Sequence, residues 1–128
     1  MGKTIAKVQG ILFLILTIGG FMDPNFLGMH HTMIHRVVHL LTAGLGLYLG
    51  FAGTEDNARK FNLGGGVVYL LLVLLGFLAP GLLASIIGHP GPVTSADLMR
   101  DNIVHILLMI IFFIGAMRRP VVATTTAR

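Results

Sequence analysis

The chain has 128 residues, 55% of them hydrophobic and only 11% charged, and its mean hydropathy of +0.87 leaves more apolar surface than one small soluble core can hide. The net charge of +4 does not indicate a nucleic-acid binder, because the basic residues gather at segment ends and form no patch interleaved with aromatics. With no cysteine, disulfides, thiolate metal sites and iron–sulfur clusters are excluded, and cysteine usage gives no redox compartment.

A water-facing helix shows an apolar stripe recurring every three or four residues, whereas residues 70–75 and 106–114 are apolar on every face of a helix. The expected fold class is therefore all-α, an integral membrane four-helix bundle in one transmembrane domain. The first span covers residues 5–22, enough to cross a hydrocarbon core, and the breaker Asp23-Pro24-Asn25 ends it. A signal peptide is the competing reading of Lys3, Lys7 and the apolar run, but residues 17–22 offer no small-x-small cleavage site.

The second span is expected over 32–53, capped by Thr32 and followed by a polar linker over 54–60. The third runs from 62 to 78, or through the kink-permitting Pro80 as far as 87. Gly88-His89-Pro90-Gly91-Pro92 is a turn. A fourth span over 96–117, with Ser95 as its cap, stops at Arg118-Arg119-Pro120 before a frayed tail.

If the spans alternate, Lys3, Lys7, Arg59, Lys60, Arg118, Arg119 and Arg128 share one side, and Arg36 and Arg100 lie on the other. The positive-inside rule then makes both termini cytoplasmic. The halves also read as a repeat: Arg36-Val37-Val38-His39-Leu40-Leu41 matches Asn102-Ile103-Val104-His105-Ile106-Leu107, and Gly10-Ile11-Leu12-Phe13-Leu14 matches Gly66-Val67-Val68-Tyr69-Leu70 more loosely. Two helices per unit return the chain to its starting side, so the repeats would be parallel, with His39 and His105 as symmetry mates.

On Arg36-Val37-Val38-His39-Leu40-Leu41, Gly65-Gly66-Val67-Val68-Tyr69-Leu70-Leu71 and Asp101-Asn102-Ile103-Val104-His105-Ile106-Leu107, the chain resembles a bacterial family of small four-helix membrane proteins catalogued as domain of unknown function 4383. The resemblance runs from about residue 6 to residue 117. It implies a bacterial inner (cytoplasmic) membrane protein and brings no activity with it. In the family an asparagine usually stands three residues before the first histidine; Arg36 fills that place here, while Asn102 fits the second motif.

All six histidines, His30, His31, His35, His39, His89 and His105, fall on the non-cytoplasmic side or in the outer part of a span. Titratable groups in lipid are costly and usually face the bundle interior or a wet cavity. His35 and His39, four residues apart, share a helix face, which suits two ligands of one metal. Asp101 stands four residues before His105 and could supply a third ligand or an orienting carboxylate. His39 lies about 14 residues from the inner end of its span and His105 about 12, which gives them similar depth.

Three readings compete for these residues. The histidines hydrogen-bond across helices, with Arg36, Asp97, Arg100 and Asp101 as a solvated collar; or His35, His39, His105 and Asp101 bind a metal ion; or His39 and His105 ligate haem b. His35, His39, Thr42, Gly46 and Gly50 form a stripe down the second span, and the small-xxx-small pair Gly46 and Gly50 lets another helix approach closely. Such packing leaves little room for haem below His39. His30 and His31, beside the Pro24 loop, read as a solvated or interfacial pair, and Asp23 and Asp97 as groups at segment ends.

Gly44-Leu45-Gly46 and Gly64-Gly65-Gly66 complete neither a dinucleotide nor a phosphate fingerprint, and no nucleophile has a base beside it. No catalytic residue is assigned. The functional expectation is a non-enzymatic structural or interaction component whose partners are the lipid bilayer, a second copy or another membrane protein. The alternatives are a metal- or haem-binding protein and, more weakly, a channel or transporter component, for which the inner half of the bundle offers few polar groups.

Overall fold

The computed structural model describes residues 1–89, 91 and 95–117, with the backbone alone for 95–98. Arg118, Arg119 and Arg128, Pro90 and Pro92, and the side chains of Ser95 and Asp97 therefore lie outside the described residues. Among those described, the chain is all-helical: α1 Gly2–Met22, α2 Met33–Phe51, α3 Glu55–Leu78, the short α4 Pro80–Ile86 and α5 Ser95–Ala116. A 3-10 turn, Phe26–Gly28, lies between α1 and α2. Four helices are long and apolar enough to cross a bilayer, and the chain is built as a multi-pass membrane protein.

Local signals set the helix ends. The Thr32 hydroxyl accepts from the His35 amide at 3.2 Å and starts α2. Thr54 accepts from Asn57 at 3.1 Å, with Glu55 and Asp56 in the first turn of α3. Residues 55–60 are thus helical, where their polarity reads as a linker: the cap and the acidic first turn favour a helix that emerges from the apolar layer. At the far end, Ala79 leaves helical geometry (φ −145°, ψ 61°) and Pro80 opens α4, so the third span ends at Leu78.

The helices pack as two pairs, α1 with α2 and α3 with α5, and α1 also touches α3 and α5. Glycine brings the first pair together: a Cβ on Gly10 would lie 2.7 Å from the Leu47 amide nitrogen, and one on Gly46 3.0 Å from the Ala6 carbonyl oxygen. In the second pair, Gly65 and Gly66 receive Phe112 and Phe113. The buried face of α2 carries His35, His39, Ala43, Gly46 and Gly50. Ala43 takes the place expected for Thr42, which is partly exposed and returns its hydroxyl to the Val38 carbonyl at 2.8 Å. The turn of the helix after His39 carries the face through position 43.

Phe13, Tyr69, Leu108 and Phe112 fill the bundle centre. At the end holding the N-terminus, Glu55 accepts hydrogen bonds from the terminal ammonium and from the Gly2 and Lys3 amides. Arg59 donates to the last-turn carbonyl of Ala116 at 3.3 and 3.1 Å. Lys3, Lys7, Arg59 and Lys60 all gather there.

Candidate functional site

At the opposite end, the segment between α1 and α2 folds back over the bundle. Leu27 and Gly28 take left-handed backbone angles (φ 59° and 71°), the His31 amide donates to the Pro24 carbonyl at 2.7 Å, and His31 Nε2 donates to the Phe26 carbonyl at 3.1 Å. Arg36 fastens the fold by donating to the His31 carbonyl at 2.8 Å, with its guanidinium over the Phe21 ring. Arg100 donates to the Gly28 carbonyl at 3.3 Å. Arg36 and Arg100 hold the loop, Arg36 from a partly exposed and Arg100 from an exposed position.

This loop corrects the expectation for His30 and His31. His31 is fully buried, with its ring stacked on His35 at 5.3 Å. Only His30 is partly exposed, beside His89 at 4.9 Å and within 3.3 Å of the Asn25 side-chain oxygen. Burial, the largest influence, holds the His31 imidazole below its ordinary value, and the Phe26 carbonyl partly offsets it.

Below His31 the rings continue inward. His35 meets His39 at 4.4 Å and His105 at 6.3 Å, and all three are buried. His39 abuts Phe13 edge-on at 5.2 Å, and His105 abuts Tyr69 edge-on at 5.4 Å. The Nδ1 atoms of His35, His39 and His105 are buried without a hydrogen-bond partner. The same holds for His31 Nδ1 and for the side-chain oxygens of Gln9, Asn62 and Asn102, none of which lines the cavity that His35, His39 and His105 share.

His35, His39, Tyr69 and His105 line one cavity of about 170 Å³, completed by Ile34, Val38, Val68, Leu72, Ile86 and Ile87. Ile34, Val38, Val68 and Ile86 are each about half exposed, so the cavity's rim reaches the lipid-facing surface between α2 and α3, with α4 at one end. None of the lining side chains is a carboxylate, lysine or arginine. Asp101 is buried one turn before His105 but does not line the cavity. Among the described residues no group of three or more histidine, aspartate or glutamate side chains is arranged to hold a metal ion.

Among the described residues, Gln9, Thr17 and Asn62 are buried polar groups that no sequence motif marked. Gln9 donates to the Leu108 carbonyl at 3.0 Å, Thr17 donates to the Phe13 carbonyl at 2.7 Å, Asn62 donates to the Gly2 carbonyl at 2.9 Å, and Tyr69 lines the cavity. Phe13 and Phe112, both fully buried with rings 6.0 Å apart, pack with Tyr69 between the histidines and the end that holds Asn62. The signal that could have marked them is polarity inside an otherwise apolar span. No family model, curated protein or solved structure matches the chain.

Proposed function

We propose that this protein is a non-enzymatic component of a cell's inner membrane that binds a small molecule among His35, His39, Tyr69 and His105. The observation that carries the reading is the convergence of three buried histidines and Tyr69 on one cavity. The alternative of a purely structural partner for other membrane helices draws less support, because Gly46 and Gly50 are taken up inside the chain against α1.

The orientation, with both termini cytoplasmic, rests on the basic residues gathered at the N-terminal end and on the positive-inside rule. Membership in the family of domain of unknown function 4383 is part of the proposal and rests on the three motifs alone.

The test is an optical spectrum, elemental metal analysis and mass spectrometry of a solvent extract, made on detergent-purified wild type, His39→Ala and His105→Ala. One stoichiometric bound species, absent from both variants, is the expected result. A species held equally by all three proteins contradicts the reading.

A further inference from the structure

Size, charge and access together restrict what such a cavity can hold. An apolar protein cavity of roughly 150 Å³ accommodates one benzene ring, so the 170 Å³ here suits one substituted six-membered ring and is too small for a porphyrin. A phosphate or carboxylate headgroup needs a cationic partner, and a metal ion in such surroundings needs several ligands. The lining offers no cation, and among the described residues no three histidine, aspartate or glutamate side chains are arranged to hold a metal ion. The ligand that fits is neutral.

The polar part of the lining is equally restrictive. A neutral imidazole has one nitrogen that donates and one that accepts, and the Tyr69 hydroxyl does both. Carbonyl oxygens on a ring would accept from these groups, and ring hydroxyls could donate to them, so the same side chains serve an oxidised ring and its reduced form. The His105 and Tyr69 rings add aromatic walls. The aliphatic rim at Val68 and Ile86 opens toward lipid, which leaves a path for an apolar tail.

We infer that the cavity between α2 and α3 binds the ring of a lipid-dissolved quinone or quinol, with its tail leaving sideways into the bilayer past Val68. The inference rests on the small-molecule reading above and adds the ligand's class. It assigns no electron transfer to this chain.

The experiment titrates full-length protein in nanodiscs with a decyl-substituted benzoquinone, followed calorimetrically against empty nanodiscs. Wild type should saturate at one molecule per chain. Tyr69→Phe, which keeps the ring and loses the hydroxyl, should bind about tenfold more weakly, and Val68→Trp should lose binding by filling the mouth. Leu41→Trp, at an exposed position of α2 outside the cavity lining, should bind like wild type.

If the quinone merely partitions as it does into empty discs, while wild type retains a different extractable species that His39→Ala lacks, the quinone assignment is overturned and the binding site stands. Equal quinone binding by wild type, Tyr69→Phe and Val68→Trp also overturns it. If the quinone only partitions and no His39-dependent species is found, both readings fall together.

Discussion

His105 meets the ring of Tyr69 edge-on, 5.4 Å between centroids at 67°, and the geometry recurs where His39 meets Phe13 at 5.2 Å and 64°. Phe13 and Tyr69 occupy equivalent places in the two matching sequence stretches, three residues after Gly10 and Gly66. The paired histidines thus share a local environment as well as a motif. The pairing is not complete. Tyr69 brings a hydroxyl where Phe13 has none, and His35 stands one turn before His39 where Asp101 stands before His105. The cavity forms on the side where the hydroxyl is present.

The α1–α2 contact depends on missing side chains. Gly10→Ala would drive a methyl to within 2.7 Å of the Leu47 backbone nitrogen, and Gly46→Leu would press on the Ala6 carbonyl. Each should lower stability by about 1–3 kcal/mol. Gly44→Ala, which meets nothing within 4 Å, should be neutral or stabilising by up to about 1 kcal/mol. Denaturant titration in mixed micelles, read by circular dichroism, ranks the three.

His31 makes stability depend on pH. Burial, assisted by Arg36 and His30 and opposed by the Phe26 carbonyl and Asp23, keeps its folded-state pKa below the ordinary value of 6.5. Below that value the unfolded chain binds a proton that the folded chain resists, so this contribution is complete above pH 6.5 and declines as pH falls. Thermal unfolding between about pH 8 and about pH 5 should show a falling midpoint in wild type and a shallower fall in His31→Phe.

Arg59 joins the two ends of the α3–α5 pair by donating twice to the Ala116 carbonyl, an acceptor left over at the end of α5. Arg59→Ala should cost about 1 kcal/mol and speed hydrogen exchange in the last turn of α5. A lysine there restores the charge but not the paired donors, so Arg59→Lys should recover only part of the protection.

Gln9 is buried with its amide nitrogen engaged and its oxygen unpartnered. Replacing it with methionine removes both the bond and the orphan atom at similar volume. Gln9→Met should therefore change unfolding stability by less than about 1 kcal/mol and leave ligand binding intact, which separates this amide from the site residues in the same titrations.

The four spans and the inward histidine face were legible because runs of apolar residues between breakers have few alternative structures. The periodicity of His35, His39, Gly46 and Gly50 located the buried face of α2. Which face of α1 and α3 turns inward was not legible, since spans apolar all round carry no stripe. Gln9, Asn62 and Tyr69 acquire their places only through packing. His31 was hidden for another reason: its burial comes from the loop folding back through Leu27 and Gly28, a tertiary event that neighbouring Pro24 and His30 disguise as a solvated turn. Thr54 caps α3 and Glu55 and Asp56 form its first turn, which the polarity of residues 55–60 disguises as a linker.

The central claim is that a small molecule occupies the histidine cavity in the membrane, and photocapture tests it directly. With Val68 replaced by a benzophenone-bearing residue, irradiation of intact membranes should attach one non-phospholipid molecule per captured chain, and this adduct should vanish when His39→Ala is added. The same replacement at the exposed Leu41 should capture only bulk phospholipid. Identical adducts from both positions, unchanged by His39→Ala, would contradict the account and return the histidines to a purely structural role.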